Sequence, residues 1–201
     1  MFFDHHRRLL VLKEKHQSRI FTAGDFTRLI RGQFPATDFS FCTRRDYAVD
    51  PDMIIVAGSY DSYYDRQRLP HTEITLCYHP EQKQYLGSRL NWEQISFDVA
   101  ECIGHELVHR TQYKTKKPLA KYISHGSDIE KKSEQEYLGG DDEIEAYGFS
   151  IAVEAKTFDK EYRSCTMYTI YKNVFDNDHL VIVKLEQQIV KYLTQLNGVQ
   201  Q

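Results

Sequence analysis

The chain has 201 residues, enough for one domain with a sizeable core and too few to make two ordinary domains comfortable. Hydrophobic residues make up 41% and aromatic residues 13%, which argues against a disordered polypeptide. The formal charge of −3 gives no electrostatic case for nucleic acid or an anionic membrane as the main partner.

The first sixteen residues open on Met1-Phe2-Phe3-Asp4-His5-His6-Arg7-Arg8 and contain no apolar run long enough for a signal peptide or a membrane span, which predicts a cytoplasmic protein. Residues 2 to 16 read as a short amphipathic helix with Leu9, Leu10 and Leu12 inward, His5 and His6 being surface histidines. A second helix begins near Ala23-Gly24-Asp25 and stops at Phe34-Pro35. From Phe39 the pattern changes to β-type runs, Phe39 to Thr43, Met53 to Ala57 and Glu73 to Tyr78. The polar and aromatic stretch Ser59 to Arg66 between the last two reads as a loop or an extended hairpin, its tyrosines serving ordinary packing in preference to the alternative, a grip on substrate. Glu73 to Tyr78 alternates Ile74, Leu76 and Tyr78 against Glu73, Thr75 and Cys77, as suits a strand with one buried face.

Asn91 can cap the next helix, with Glu93 or Gln94 in its first turn, and this helix carries Ile103-Gly104-His105-Glu106-Leu107-Val108-His109. Residues four apart lie about one turn apart on the same face, so His105 and His109 project together. Zn²⁺ prefers tetrahedral nitrogen, sulfur or carboxylate ligands, and such a histidine pair supplies two while Glu106 can lie beside the metal-bound water. Phe97, Ala100, Ile103, Leu107 and Val108 give the helix a core side, and Asp98, Glu101, His105, His109 and Gln112 fall on the other. A merely solvated face has no need for two histidines bracketing a glutamate.

After Tyr113 the cations of Lys114-Thr115-Lys116-Lys117-Pro118 suit the negative end of that helix. Residues 119 to 139 are poor in apolar side chains and read as a flap over the site or a solvated excursion. Gly139-Gly140-Asp141-Asp142 launches a helix to about Thr157. Helical stretches follow at about Tyr162 to Phe175 and His179 to Leu196, the last with Leu180, Val183, Ile189, Leu193 and Leu196 as its core face. Cys42, Cys77, Cys102 and Cys165 form no C-x-x-C pair, so free thiols are expected rather than a disulfide framework or a zinc knuckle.

A catalytic zinc needs a third protein ligand. An H-E-x-x-H-x-x-G-x-x-H site is excluded, because Gln112 and Thr115 stand where its glycine and third histidine would be. The candidates are His125, Asp141, Asp142, Glu143, Glu145 and Glu154. Residues two apart on a helix face nearly opposite ways, so only one of the central glutamates can point at the metal. Glu145 shares a strip with Asp141, Ala152 and Lys156, which reads as the solvent side. Glu143 shares one with Ala146, Tyr147, Ser150 and Glu154, which reads as the approach face. Periodicity therefore favours Glu143, with Glu145, His125 and the aspartates as alternatives. For an oxyanion stabiliser, Tyr147, His125 and Tyr122 are candidates.

His105-Glu106-Leu107-Val108-His109 followed by Glu143-Ile144-Glu145-Ala146-Tyr147 resembles the gluzincin metallopeptidases, whose second motif is a helical glutamate followed three residues later by a small residue. The resemblance implies His105, His109 and Glu143 as zinc ligands and Glu106 as the catalytic base of peptide hydrolysis. It also places the strand before the metal helix as the edge that holds an extended peptide. The chain departs from the pattern at Tyr147, where several such families have an aspartate that orients a histidine, so support for the ligands must differ. Tyr147-Gly148 does not make an aspartate-liganded zincin, since Ile144 occupies the acid's position, and nothing near Cys42 or Cys77 matches the deformylase Glu-Gly-Cys segment.

The run Asp142 to Tyr147, with Met167-Tyr168-Thr169-Ile170-Tyr171 and Lys191-Tyr192-Leu193, is similar to uncharacterised metallopeptidase-like proteins of tailed phages, over about residues 73 to 196. The expected organisation is one zincin-like domain over 1–201, of N-terminal helices to 38, sheet and metal helix over 39–113, and flap and C-terminal helices over 114–201. The fold class expected is α+β, a small antiparallel or mixed sheet packed on the His-Glu-x-x-His helix with helices after it. The expected partners are a peptide or protein substrate and, for a phage protein, other structural proteins of the particle. Its location would be the host cytoplasm or the virion. The alternative to a peptidase is a virion or assembly protein that keeps the fold with a structural or vestigial metal site.

Overall fold

The computed structural model describes residues 2–67, 69–82, 84–115, 134–176 and 179–198. It is an α+β protein rich in helix, and its contacts divide the chain into two compact units, residues 1–106 and 107–201. The division falls inside one uninterrupted helix, α4 (Trp92–Thr115), which contributes to both.

In the first unit, α1 (Phe2–His16) buries Phe2, Leu9 and Leu12, and Leu10 is only partly covered. His5 and His6 are not the surface histidines expected. Both are half-buried, with the His5 ring 5.1 Å from that of Phe34 and the His6 ring 5.9 Å from that of Phe2. Burial is the main cause that lowers both imidazole pKa values, since it disfavours the charged form. The strand β1 (Ile20–Phe21) pairs antiparallel with β5 (Tyr85–Leu86), a ribbon too short to leave a pattern in sequence. Between them α2 (Ala23–Arg31) starts at a capping box, in which the Thr22 hydroxyl accepts from the Asp25 amide at 3.1 Å.

Three strands form the main sheet: β2 (Phe39–Arg45), β3 (Ile54–Tyr60) and β4 (Thr72–Tyr78). The order is β2-β4-β3, with β2 parallel and β3 antiparallel to β4, so the sheet is mixed. Residues 59 to 66 are not a loop or hairpin. Ser59 and Tyr60 finish β3, and Ser62–Arg66 form the short helix α3, capped by Asp61, whose carboxylate accepts from the Tyr63 amide at 2.7 Å. One turn of helix is too short to show periodicity. Nor is β4 an edge. It is the central strand, hydrogen-bonded on both sides, and it buries Cys77 as well as Ile74 and Leu76, which alternation assigns to the opposite face.

The second unit contains the C-terminal part of α4, then α5 (Glu134–Leu138), α6 (Asp141–Thr157), α7 (Thr166–Val174) and α8 (His179–Gly198). Its core joins Ile144, Ile151 and Ala155 of α6 to Tyr168 and Tyr171 of α7 and to Ile182, Leu185 and Ile189 of α8. Of the expected inward face of α8, Ile189 is in this core and Leu193 packs against it, whereas Leu180 and Val183 are exposed and Ile182 and Leu185 take their place. Asp141 meets Lys184 and Lys156 meets Asn197, so α6 and α8 run in the same direction. They cross closely at Gly148, where a Cβ would stand 2.5 Å from that of Gln188. Among the described residues no helix is long and apolar enough to cross a membrane.

Candidate metal centre

The start of α4 is pinned by two hydrogen bonds. Asn91 Oδ1 accepts from the Gln94 amide at 3.2 Å, and the buried Trp92 indole donates to the Gly87 carbonyl at 2.7 Å. Trp92, Ile95, Val99 and Ile103 then recur at helical spacing and are all buried, which anchors this helix in the first unit. At about 100° per residue, Gln112, His105, His109, Cys102 and Glu106 fall in an arc of about 120°. This polar arc is not solvated. His105, Glu106, His109 and Gln112 are each less than a tenth exposed, with Glu106 at 7%. Burying four polar side chains on one helix face is costly unless each is satisfied, so the arc reads as a built site rather than a wet surface.

Glu106 lies beside the sheet of its own unit. A Cβ at Gly58 on β3 would sit 3.2 Å from both Cγ and Oε1 of Glu106 and would collide with the Cys102 sulfur. Glycine is what lets this strand approach the helix. Burial pushes the Cys102 thiol well above its ordinary pKa, with Glu101, Glu106 and Asp98 adding to the effect. Cys102 is therefore a protonated packing group and not a nucleophile.

In the second unit, Glu143 stands in the first turn of α6 and its Oε1 lies 3.6 Å from His109 Nε2. His105 is carried one turn before His109 on the same unbroken helix. His105, His109 and Glu143 each offer one ligand atom, all within 4.8 Å of one another. Zinc bonds of 2.0–2.2 Å imply ligand separations of about 3.4 Å in a tetrahedron, so the His109–Glu143 pair is already near the required spacing. Two imidazoles and a carboxylate are also a donor set that zinc accepts, and they suit the group the sequence implies. Comparison of the chain with protein-family models, curated proteins and solved structures finds no match.

Glu145 departs from expectation. Its side chain is not on a solvent strip: Oε2 accepts from Gln112 Nε2 at 3.1 Å and Oε1 accepts from Lys191 at 2.7 Å. The supposed solvent strip also contains Ala152, which is fully buried. Helix α8 covers that side of α6, a long-range fact that helical periodicity does not encode. Asp141 pairs with Lys184 at the surface, Asp142 lends its carbonyl to Gln112, and Glu154 pairs with Lys160 at 2.6 Å. His125 and Tyr122, with most of the expected flap, lie outside the described residues. Tyr147 packs its ring 5.7 Å from that of Tyr171. Sequence reasoning missed Gly58, and it put Gln112 on the polar face of the helix without a role. A glycine inside a β-branched run was the available signal for the first; for the second, only its place three residues after His109 pointed that way.

Proposed function

We propose that this protein is a zinc-dependent metallopeptidase in which His105, His109 and Glu143 hold the metal and Glu106 is the general base. The observation that carries the reading is the approach of Glu143 to His109 Nε2 at 3.6 Å, one helical turn from His105, with Glu106 buried on the same arc. Glu106 is not one of the metal-binding group, and a purely structural zinc would give it no task. Zinc, when bound, supplies Lewis acidity toward a carbonyl and lowers the pKa of water toward about 7.

Glu106 takes a proton from the attacking water as the water oxygen bonds to the scissile carbonyl carbon. The carbon–nitrogen bond then breaks, and Glu106 passes the proton to the departing amine. Burial of Glu106 beside Gly58 keeps bulk water from competing for that proton. The strand edge suited to an extended peptide is that of β3, which flanks β4 on one side and carries Gly58 next to Glu106.

The test is to incubate zinc-loaded wild type and Glu106→Gln with a denatured peptide library and to sequence new termini by mass spectrometry. Cleavages made only by the wild type support a peptidase and give its specificity. Identical peptide sets, together with stable incorporation into a larger particle, would replace the reading by a structural one.

A further inference from the structure

We propose that Gln112 is a positioning residue that fixes the tautomer of His109, with Glu145 and Lys191 holding Gln112 in place. The inference deepens the metal-centre reading and rests on it for its functional meaning, but its chemistry lies wholly within the second unit.

Among the described residues the buried Gln112 amide meets three groups that fix its orientation. Nε2 lies 2.9 Å from the Asp142 carbonyl oxygen and 3.1 Å from Glu145 Oε2, while Oε1 lies 2.9 Å from His109 Nδ1. The first two partners only accept, so the NH₂ group must face them, and both its hydrogens are used. Turning the amide over would set its oxygen against a carbonyl and a carboxylate. The oxygen is thereby committed to His109, and since an amide oxygen only accepts, Nδ1 must carry the proton. Nε2 then presents its lone pair on the side where Glu143 Oε1 stands at 3.6 Å. A ring nitrogen with a free lone pair is the form of histidine that binds a metal.

Glu145 is the anchor of this arrangement. Its Oε1 accepts from Lys191 Nζ at 2.7 Å, an ion pair that holds the carboxylate where its other oxygen meets Gln112. The contacts thus run from Lys191 through Glu145 and Gln112 to His109. They also give the second glutamate of the Glu143-Ile144-Glu145 stretch a role distinct from that of a ligand.

The experiment has two readouts. Nitrogen-15 spectra of metal-free wild type, recorded above the imidazole titration range with His109 assigned from its loss in His109→Ala, report which ring nitrogen holds the proton. The expected result is His109 predominantly protonated at Nδ1, against the Nε2 preference of a free histidine side chain; a ring protonated at Nε2, or at both nitrogens, overturns the proposal. Zinc titration of Gln112→Leu should then show affinity lower by about 10- to 100-fold with the fold retained, and Glu145→Ala a smaller loss. A folded Gln112→Leu that binds zinc as tightly as wild type also overturns it. Should Gln112→Leu fail to fold, Glu145→Ala decides: His109 protonated at Nδ1 in wild type but mixed in Glu145→Ala supports the chain of contacts, and no change in either spectrum or affinity refutes it. A wild type that binds no zinc removes the metal-centre reading while the tautomer measurement still stands or falls by itself.

Discussion

Gly58 and Glu106 are in direct apposition: the backbone of strand β3 comes so close to helix α4 that a single added carbon at position 58 would lie 3.2 Å from the Glu106 carboxylate. Any side chain there has to displace the strand, the Cys102 sulfur or the proposed base. Gly58→Val is expected to destabilise the protein by about 1–3 kcal/mol through overpacking, and to lower turnover more than zinc affinity. Denaturant unfolding, zinc titration and peptide cleavage of the one variant separate these effects. Unchanged stability with unchanged cleavage would show that the close approach has no consequence for the site.

Glu106→Gln is nearly isosteric and leaves the three proposed ligands untouched. It should bind zinc with affinity near that of wild type and lose about 10²- to 10⁴-fold in cleavage rate, the range typical of removing a general base. Metal analysis and single-substrate kinetics on the same preparation check it. A variant that cleaves as fast as wild type would take the base role away from Glu106.

Zinc that binds the folded chain and not the unfolded one must raise the apparent stability by mass action, by about 2.7 kcal/mol at a free concentration a hundred times Kd. Thermal unfolding should therefore shift upward on zinc addition and fall back on chelation. In Glu143→Ala the shift should be much smaller at the same zinc concentration. Equal shifts in wild type and Glu143→Ala would point to zinc binding elsewhere on the chain.

Much of this arrangement was legible in the residues themselves. The limits of α6 and the existence of the three strands follow from local pattern, because Gly-Asp-Asp starts and β-branched runs act over a few neighbours, although β3 runs on to Tyr60 and β2 to Arg45, past the ends the pattern gives. The helix carrying His105 and His109 was equally plain. What could not be read was order and contact over distance. The central place of β4 depends on which strand inserts beside it, and the covered side of Glu145 depends on a helix that begins more than thirty residues later. The face of α8 is only partly legible for a related reason: Ile189 and Leu193 meet the core as expected, but the apolar residues span more than one stripe, and only packing against α6 and α7 selects Ile182 and Leu185 over Leu180 and Val183.

Cys165 gives a pH dependence whose sign can be fixed. Burial first, and Glu154 next, push its thiol up from an ordinary 9.0 to about 12. Above pH 9 the unfolded chain loses this proton while the folded chain keeps it, so the native state binds more protons and stability falls as pH rises from about 9 to about 12. The slope from this group is at most about 1.4 kcal/mol per pH unit. Cys165→Ala should be less stable at neutral pH yet show a shallower decline in that window, measured by urea unfolding across the range. Parallel curves for the two proteins would refute the assignment.

Tyr171 is fully buried, and its hydroxyl donates to the Leu138 carbonyl at 2.9 Å, tying α7 to the end of α5. Tyr171→Phe keeps the ring and strands that carbonyl, so a loss of about 1–3 kcal/mol is expected in denaturant unfolding. A loss near zero would mean that the carbonyl finds another donor.

The crossing at Gly148 makes α6 a ruler. Where its backbone rests against Gln188 fixes the helix both along its axis and in rotation, and Glu143 and Glu145 lie five and three residues upstream on the same rigid rod. Inserting or deleting one residue between 145 and 148 would turn both carboxylates by about 100° and slide them by about 1.5 Å, taking Glu143 away from His109 and Glu145 away from Gln112 in one stroke. Composition along this segment can drift, but its length cannot.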